Sequence, residues 1–224
     1  MSLHVLPDLE QGSEEWFDQR RGMLTASVVG RLITPGTIKP ANNPESRALT
    51  AQLAAERITG WTDDTYVSFD MIRGHEDEPR AIEKYAEHYG RVTWAGFMVR
   101  DDWGFRIGYS PDGLVGDDGL VEVKSRRPKK HLQTILDDEV PAENVAQLQC
   151  ALLVSGRNYI DYISYCGGMP MWHKCVEPDE RWHRAIIEAA TAFEQAVDEM
   201  TAAYQRATWG LPMTERIVEQ EMVI

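Results

Sequence analysis

The sequence predicts an α/β domain in which a mixed central β-sheet is flanked by α-helices. Two observations indicate this class. Segments with helical spacing of apolar residues lie before residue 90, between residues 141 and 156, and after residue 178. Segments rich in β-branched and aromatic residues lie between them, separated by Asp and Gly turns. Helices before, among and after the strands are expected to form layers on a sheet.

Three helices are expected in the first sixty residues. Ser13, which two glutamates follow, is a typical N-cap, and the helix that it starts should end before Gly22. A second helix is expected from Thr25. A third is expected over residues 44–60, where Gly60 is a typical C-terminal residue.

A fourth helix is expected within residues 74–90, where apolar and aromatic residues recur at helical spacing. These residues are Ala81, Ile82, Tyr85, Ala86 and Tyr89. Proline is tolerated in the first turn of a helix but disrupts its interior, so Pro79 predicts that the helix begins close to it. Glu78 would then lie at the opening of this helix.

Strands are expected after residue 90. Residues 92–100, 104–110 and 120–125 should form an antiparallel meander, and residues 158–166 and 170–176 should form two further strands. The helix that begins at residue 141 lies between these two groups. A long amphipathic helix should follow the last strand.

The length of 224 residues suits one domain, which we place over residues 1–207, followed by a tail over residues 208–224. Hydrophobic residues make up 43% of the chain, and no apolar run approaches the roughly 20 residues that span a bilayer. The N-terminal residues lack the basic leader and apolar core of a signal peptide. We therefore expect a cytoplasmic protein with no membrane partner.

The three cysteines, Cys150, Cys166 and Cys175, form no CxxC pair. We expect them to be buried thiols in a reducing compartment. Their spacing also argues against a structural zinc site and against an iron–sulfur cluster, which need closely paired ligands. The tryptophans, including Trp16 and Trp94, are expected to belong to the core rather than to stack on bases, with the alternative that an exposed one acts as a wedge at the entrance of a duplex.

The net charge of −13 counts against a nucleic-acid partner, because contacts with phosphate need Lys and Arg. Its distribution matters more than its sum, since residues 124–130, "KSRRPKK", form a local basic cluster. This cluster is either a solvated loop or part of a DNA-binding channel. In the second case the residues in contact with DNA would be Arg126, Arg127, Lys129 and Lys130.

The stretch "GYSPDGLVGDDGLVEVKS", residues 108–125, places charged residues on an apolar hairpin. Asp112 lies in a type I turn, while Glu122 and Lys124 project from one face of the next strand. These residues have a structural explanation, as a turn residue and a surface ion pair worth about 0 to 1 kcal/mol. They also match a metal-dependent phosphodiesterase, which requires hard oxygen ligands and a positive charge near the reacting phosphate.

In the second interpretation, Asp112 and Glu122 bind one Mg²⁺, and the backbone carbonyl of Val123 is a further ligand. Lys124 faces the same site. It would position or deprotonate the attacking water, or stabilise negative charge on phosphorus, and the sequence does not choose between these roles.

Five motifs occur in order along the chain: EEWFDQRRGMLTAS, GHEDEPRA, GYSPDGLV, LVEVKS and VAQLQC. Together they resemble the lambda exonuclease and YqaJ family of viral recombination nucleases, within the restriction-endonuclease-like PD-(D/E)XK superfamily. The resemblance extends from about Glu14 to about Gln149. It implies a restriction-endonuclease-like core.

The resemblance also implies roles for residues outside the hairpin. Glu78 matches a further catalytic acid near the metal, which could be an additional ligand, and Gln147 matches a glutamine that faces the active site. Arg20, Ser27 and Ser110 match residues that hold the 5′-phosphate of the strand being cut. Glu78 and Ser27 have structural explanations as well, as a first-turn acid and a capping residue. The metal would be Mg²⁺, with Mn²⁺ as a substitute.

The family resemblance implies an enzyme that degrades one strand of linear double-stranded DNA from its 5′ end. It would release mononucleotides and leave 3′ single-stranded overhangs for recombination. A homotrimeric ring, a single-strand annealing protein as partner, and a phage or prophage gene expressed in the bacterial cytoplasm are further implications. The alternatives are a structure-selective DNA endonuclease of the same superfamily and a catalytically inactive acidic binding module.

Overall fold

Helices and strands alternate along the chain in the computed structural model, which describes residues 2–63 and 67–216. The described helices are α1 (Glu14–Arg20), α2 (Ala26–Val29), α3 (Pro44–Thr59), α4 (Phe69–His88), α5 (Pro128–Asp137), α6 (Ala142–Ser155) and α7 (Glu180–Ala207). The described strands are β1 (Leu3–Leu6), β2 (Leu24–Thr25), β3 (Ile33–Thr34), β4 (Lys39–Pro40), β5 (Val92–Thr93), β6 (Phe97–Arg100), β7 (Ile107–Tyr109), β8 (Gly113–Val115), β9 (Gly119–Ser125), β10 (Tyr159–Tyr165) and β11 (Trp172–Val176).

The strands form two mixed sheets and one small hairpin of β3 and β4. Five strands pair in the order β11-β10-β9-β8-β5, in which β9 and β10 are parallel and the other neighbours are antiparallel. Four strands pair in the order β1-β6-β7-β2, in which only the last two are parallel. Because parallel neighbours need a long crossover, α5 and α6 connect β9 to β10. The predicted α/β class is confirmed.

Strand β9 lies between two hydrophobic clusters. Leu120 belongs to the larger cluster, which α6 and α7 complete. Val121 and Val123 belong to a second cluster, which Ala81 and Tyr85 of α4 complete. Neighbouring residues of a strand project to opposite faces, so a shift of β9 by one residue would exchange these sets. Full burial of one such aliphatic side chain contributes about 1.5–3 kcal/mol, which holds the register of β9.

The helices predicted in the first sixty residues are present. The Ser13 side chain accepts the Trp16 N–H at 3.2 Å and caps α1. Asn43 and Ser46 form a capping box at the start of α3, which ends at Gly60 in the left-handed conformation with φ 62°. The second helix is shorter than expected, because α2 gives way to a single 3₁₀ turn. Helices α6 and α7 and strands β10 and β11 also agree with the predictions.

Helix α4 begins at Phe69, earlier than predicted, with Ser68 as its N-cap. Pro79 therefore lies in the helix interior, and the prediction that Glu78 opens the helix is wrong. Pro79 has no N–H to donate to the carbonyl of His75. The helix continues because its turns after the proline pack on β9.

The predicted meander is wrong, because its strands are divided between the two sheets. Residues 92–100 form β5 and β6, which belong to different sheets. The chain changes sheets next to Gly96, where an added Cβ would lie 2.2 Å from the carbonyl oxygen of Leu6. It changes sheets again at Pro111, before the β8–β9 hairpin. A strand pattern identifies the faces of a strand but not the sheet to which it belongs.

Several surface expectations also change. The basic segment 124–130 is a loop only at residues 126–127, since residues 124–125 end β9 and residues 128–130 begin α5. Cys150 and Cys166 are buried free thiols as predicted, but Cys175 is exposed on the edge strand β11. Trp94 is 55% exposed, so its prediction as a core residue is wrong.

The predicted tail begins where α7 ends. Residues 208–216 contain no helix or strand, and residues 217–224 of the tail lie outside the described residues. Within the part of the chain that the structure describes, no helix has the length and apolar character needed to cross a membrane.

Candidate active site

A cleft of about 890 Å³ lies among α1, α2, α4 and the end of β9. The catalytic and phosphate-binding residues that the sequence predicts all line this cleft. They are Arg20, Ser27, Glu78, Ser110, Asp112, Glu122, Val123, Lys124 and Gln147. The fold thus brings residues that are distant in sequence to one place, while their chemical roles stay predictions.

The β8–β9 hairpin positions Asp112. Strand β8 begins at Gly113, opposite Val121, so it does not extend along the last part of β9. There Asp112 Oδ2 accepts the Val123 N–H at 2.6 Å. Since the N–H and C=O of one strand residue point to the same edge, the Val123 carbonyl also points to the side of Asp112. A carboxylate and a peptide oxygen therefore face the same space.

Glu122 is buried, with 2% of its surface exposed. Its Oε1 accepts hydrogen bonds from Lys124 Nζ at 2.7 Å and from Gln147 Nε2 at 2.5 Å. Its other oxygen, Oε2, is buried and forms no hydrogen bond of standard geometry among the described residues. The buried Tyr109 hydroxyl, which is likewise unpaired, interacts with this carboxylate, and burial and then the charge of Glu122 raise the pKa of Tyr109. An unpaired buried polar atom costs about 1–3 kcal/mol, so this oxygen is available for a ligand. The burial excludes the alternative interpretation of Glu122 as half of a solvated surface ion pair.

The carboxyl groups of the cleft repel one another. Burial, and then the charges of Glu122 and Glu78, raise the pKa of Asp112 well above its ordinary value. Burial and the charge of Glu122 also raise the pKa of Glu78. Burial alone would lower the pKa of Lys124, but the carboxylates of Glu122 and Asp112 raise it. One ammonium group balances only part of this negative charge, and a bound cation would balance more of it.

The donors of the cleft fit a hard divalent cation. Asp112, Glu122 and the Val123 carbonyl offer oxygen atoms, and Mg²⁺ prefers oxygen ligands and retains several waters. The unpaired Glu122 Oε2 is the observation that favours this fit. Across residues 2–63 and 67–216, no group of three or more His, Cys, Asp or Glu side chains is arranged to hold a metal ion. The role of Glu78 as a possible further ligand stays a prediction.

A second group of donors lies in the cleft around Arg20, at the end of α1. Arg20 Nη1 donates to Ser110 Oγ at 3.3 Å, and Nη2 donates to Ser27 Oγ at 3.3 Å and to Thr25 Oγ1 at 3.5 Å. Trp16 Nε1 also donates to Ser110 Oγ, at 2.9 Å. A guanidinium group beside hydroxyls is suited to bind phosphate. We call these five residues the Arg20 pocket.

Two members of the Arg20 pocket were not predicted. Trp16 packs against a core cluster as expected, but it also lines the cleft, where its ring centroid lies 4.1 Å from the Arg20 guanidinium carbon. The four-residue spacing of Trp16 and Arg20 on α1 was the available signal, because it places both on one face. The sequence carried no signal for Thr25 other than its position directly before α2. Burial lowers the pKa of Arg20 to about 10, so the guanidinium remains charged at neutral pH.

The four predicted DNA-binding cations do not form one surface. Arg126 is buried and donates to the Tyr162 hydroxyl at 2.7 Å. Arg127 is exposed and pairs with Asp70 of α4 at 2.7 Å. Lys129 and Lys130 are also exposed and lie in the first turn of α5.

Known structures resemble this fold. Two structures of the alkaline exonuclease LHK-Exo from Laribacter hongkongensis, one of them in complex with dAMP, have TM-scores of 0.79 and 0.80. Each is 29% identical to this chain, of which 89% is covered, together with 100% of the LHK-Exo chain. A phage-related exonuclease from Haemophilus somnus 129PT, with TM-score 0.63, 12% identity and coverage of 81% of this chain and 96% of its own, shows the fold alone.

The similarity to LHK-Exo confirms the predicted restriction-endonuclease-like fold. A comparison with curated protein sequences found no match. Residues 15–158 match the profile of the YqaJ-like viral recombinase domain. Because this match covers more than half of the chain, the protein belongs to the YqaJ-like viral recombinase family.

Proposed function

We propose that this protein is a Mg²⁺-dependent exonuclease that degrades one strand of linear double-stranded DNA from its 5′ end. It would release mononucleotides and leave a 3′ single-stranded overhang. Membership of the family and the similarity to an alkaline exonuclease support a nuclease. The observation that carries the proposal is the buried Glu122, whose Oε2 is unpaired among the described residues, next to Asp112 and Lys124.

The residues of the cleft would divide the work as follows. Asp112, Glu122 and the Val123 carbonyl would hold Mg²⁺, or Mn²⁺ in its place. When bound, the metal supplies a Lewis acid that polarises the phosphodiester and makes bound water more acidic. Gln147 would fix the orientation of the Glu122 carboxylate, because its Nε2 donates to Oε1.

Lys124 would supply positive charge beside the reacting phosphate. Its Nζ donates to Glu122 Oε1 at 2.7 Å, and this contact holds the ammonium group at the metal ligands. A fixed ammonium group stabilises the charge that develops on phosphorus without reorganising during the reaction. Glu78 lies in the same cleft and acts on the protonation of Asp112.

The Arg20 pocket would select the end of the substrate. A terminal phosphate carries a charge of about −1.5 to −2 at pH 7, whereas an internal phosphodiester carries one negative charge. Arg20, Thr25, Ser27 and Ser110 offer a guanidinium group and three hydroxyls, which suit the more highly charged group. The pocket and the candidate metal ligands line one cleft, as an enzyme that cuts next to a terminal phosphate requires.

The assembly and partners follow from the family rather than from a contact in this chain. We propose a homotrimeric ring around the duplex, a single-strand annealing protein that receives the overhang, and a phage or prophage gene that acts in the bacterial cytoplasm. Sedimentation velocity measures the first of these directly. A monomer at all concentrations would contradict the ring.

The experiment that tests the function compares linear and closed circular duplexes of one sequence, each with Mg²⁺ and with EDTA. The linear duplex carries a 5′-phosphate on one strand, and each strand has its own fluorophore. We expect Mg²⁺-dependent loss of the phosphorylated strand from its 5′ end, with its complement and the circle intact. Cutting of the circle would favour the endonuclease, and absence of Mg²⁺-dependent cleavage would favour the inactive binding module. The Lys124→Met variant controls for contaminating nucleases.

A further inference from the structure

The turn between α1 and β2 separates the two halves of the Arg20 pocket. Arg20 ends α1, before the turn, and Thr25 and Ser27 follow it. Gly22 lies at the centre of the turn in the left-handed conformation, with φ 64°. The geometry of Gly22 therefore sets how the guanidinium group meets the hydroxyls.

Helix α3 holds both polar groups of Gly22. Glu56 Oε2 accepts the Gly22 N–H at 2.8 Å, and Arg57 Nε donates to the Gly22 carbonyl at 2.6 Å. Glu56 is 7% exposed, and its Oε1 accepts from Gln52 Nε2 at 3.1 Å. A side chain does not fit at the turn, since an added Cβ on Gly22 would lie 2.4 Å from Arg57 Cγ. We call Glu56 and Arg57 the α3 clamp.

The α3 clamp is anchored in turn by α7. The Arg57 guanidinium makes a two-bond ion pair with Glu194, at 2.6 and 2.8 Å, and lies 5.5 Å from the centroid of the Phe193 ring. This pair ties the end of the Arg57 side chain to α7, whereas the contact with the Gly22 carbonyl is made by Nε, which takes no part in the pair.

We propose that Glu56 and Arg57 are positioning residues for terminal-phosphate recognition, because they fix the Gly22 turn and with it the direction of Arg20. The inference rests on the proposed function, since it deepens the role of the Arg20 pocket. Neither clamp residue lines the cleft, so neither is expected to touch the substrate. Burial lowers the pKa of Arg20, and the negative charge of Glu56 opposes this effect, so Glu56 also acts electrostatically on the guanidinium group.

The test measures discrimination between duplexes with 5′-phosphate and 5′-hydroxyl ends. Two readouts are used. The first is kcat/KM for the 5′-phosphate end divided by kcat/KM for the 5′-hydroxyl end, with Mg²⁺. The second is the Kd of the 5′-hydroxyl duplex divided by the Kd of the 5′-phosphate duplex, in EDTA. Glu56→Leu removes the acceptor of the Gly22 N–H, and Arg57→Met removes the donor to its carbonyl. Since small displacements of positioning groups have large kinetic effects, we expect each variant to lower both ratios by about tenfold.

Two further variants separate positioning from a loss of stability. Glu56→Gln retains an oxygen that accepts the Gly22 N–H, so we expect it to restore the ratios of the parent. Glu194→Gln weakens the ion pair with α7 but leaves Arg57 in contact with Gly22. We expect it to lower the melting temperature with unchanged ratios. If Glu56→Leu does not fold, the Arg57→Met and Glu194→Gln pair still decides the question.

The outcomes distinguish this inference from the function on which it rests. A parent enzyme without discrimination between the two ends would overturn the proposed Arg20 pocket itself. A parent that discriminates, and loses discrimination in Arg20→Ala but not in Glu56→Leu or Arg57→Met, would overturn only the role of the α3 clamp. Equal losses in Glu194→Gln and Arg57→Met would assign the effect to general destabilisation and would also overturn it.

Discussion

Replacing Lys124 with methionine tests the centre of the proposed site. Methionine keeps an unbranched side chain of similar length and removes the ammonium group. Lys124 Nζ donates to Glu122 Oε1 at 2.7 Å, and the two side chains are 29% and 2% exposed. In the Lys124→Met variant, the buried Glu122 carboxylate keeps the hydrogen bond from the Gln147 amide but loses the one from the ammonium group. The substitution should therefore lower both the free energy of unfolding and the rate of the chemical step, by different amounts.

The cost to stability follows from this burial. Breaking a buried ion pair by removing one partner costs about 3–5 kcal/mol, but exposed pairs contribute about 0–1 kcal/mol. Because Lys124 is partly exposed, we expect a loss of about 1–3 kcal/mol in the free energy of unfolding. For a chain of this length each kcal/mol lowers the melting temperature by about 2–4 °C, so the expected decrease is about 2–12 °C.

The cost to catalysis should be larger. Removing one group that stabilises transition-state charge slows chemistry by about 10²–10³-fold. Single-turnover cleavage of a 5′-phosphorylated linear duplex at 25 °C measures this step, and calorimetry measures the melting temperature. Lys84→Met is the matched control, because Lys84 forms a surface ion pair with Glu87 on α4. A folded Lys124→Met variant whose chemical step is within about threefold of the parent would remove Lys124 from the mechanism.

Other predictions concern the remaining parts of the cleft. Mg²⁺ at about 100 times its Kd should raise the free energy of unfolding of the parent by about 2.7 kcal/mol, and calorimetry should show no such increase for Glu122→Gln. An equal increase in the variant would mean that the ion binds elsewhere. Since the pKa of Asp112 is raised when folded, its contribution to metal-free stability is fully present below 3.8 and is lost as pH rises through the raised pKa. The melting temperature of Asp112→Asn should therefore decrease less with rising pH than that of the parent, and parallel profiles would contradict the assignment. Arg20→Ala should lower the kcat/KM ratio of 5′-phosphorylated to 5′-hydroxyl ends by about tenfold or more, and an unchanged ratio would mean that the pocket does not bind phosphate.

The parts of the site that were predicted are those for which the local pattern is sufficient. A two-residue period places Glu122 and Lys124 on one face of a strand wherever that strand lies. The turn predicted from Pro111 and Gly113 is only a bend at Asp112, but it still places Asp112 directly before β8 at the end of the hairpin. These relations involve residues within about one hairpin, so they survive errors in the surrounding topology. The meander was wrong, and the hairpin was nevertheless correct.

Longer-range relations were predicted less well, because competing local rules had no tertiary information to decide between them. Pro79 favoured a helix start, but packing of α4 on β9 carries the helix through it. Arg126 belonged to a basic run that suggested a solvated surface, but the Tyr162 hydroxyl and Glu143 hold its guanidinium in a buried position. In both cases the deciding partner comes from a distant segment.

The α3 clamp shows the same limit at a place that matters for function. Glu56 and Arg57 are typical residues of an exposed helix face, and no spacing rule connects them to Gly22, more than thirty positions earlier. In the folded chain they hold the two polar groups of one peptide turn, and that turn directs Arg20 into the cleft. Two adjacent helical residues of opposite charge can thus serve recognition without touching the ligand, because they hold the N–H and the C=O of the turn that carries Arg20. Mutations at such residues should change the selectivity of this enzyme before they change its chemistry.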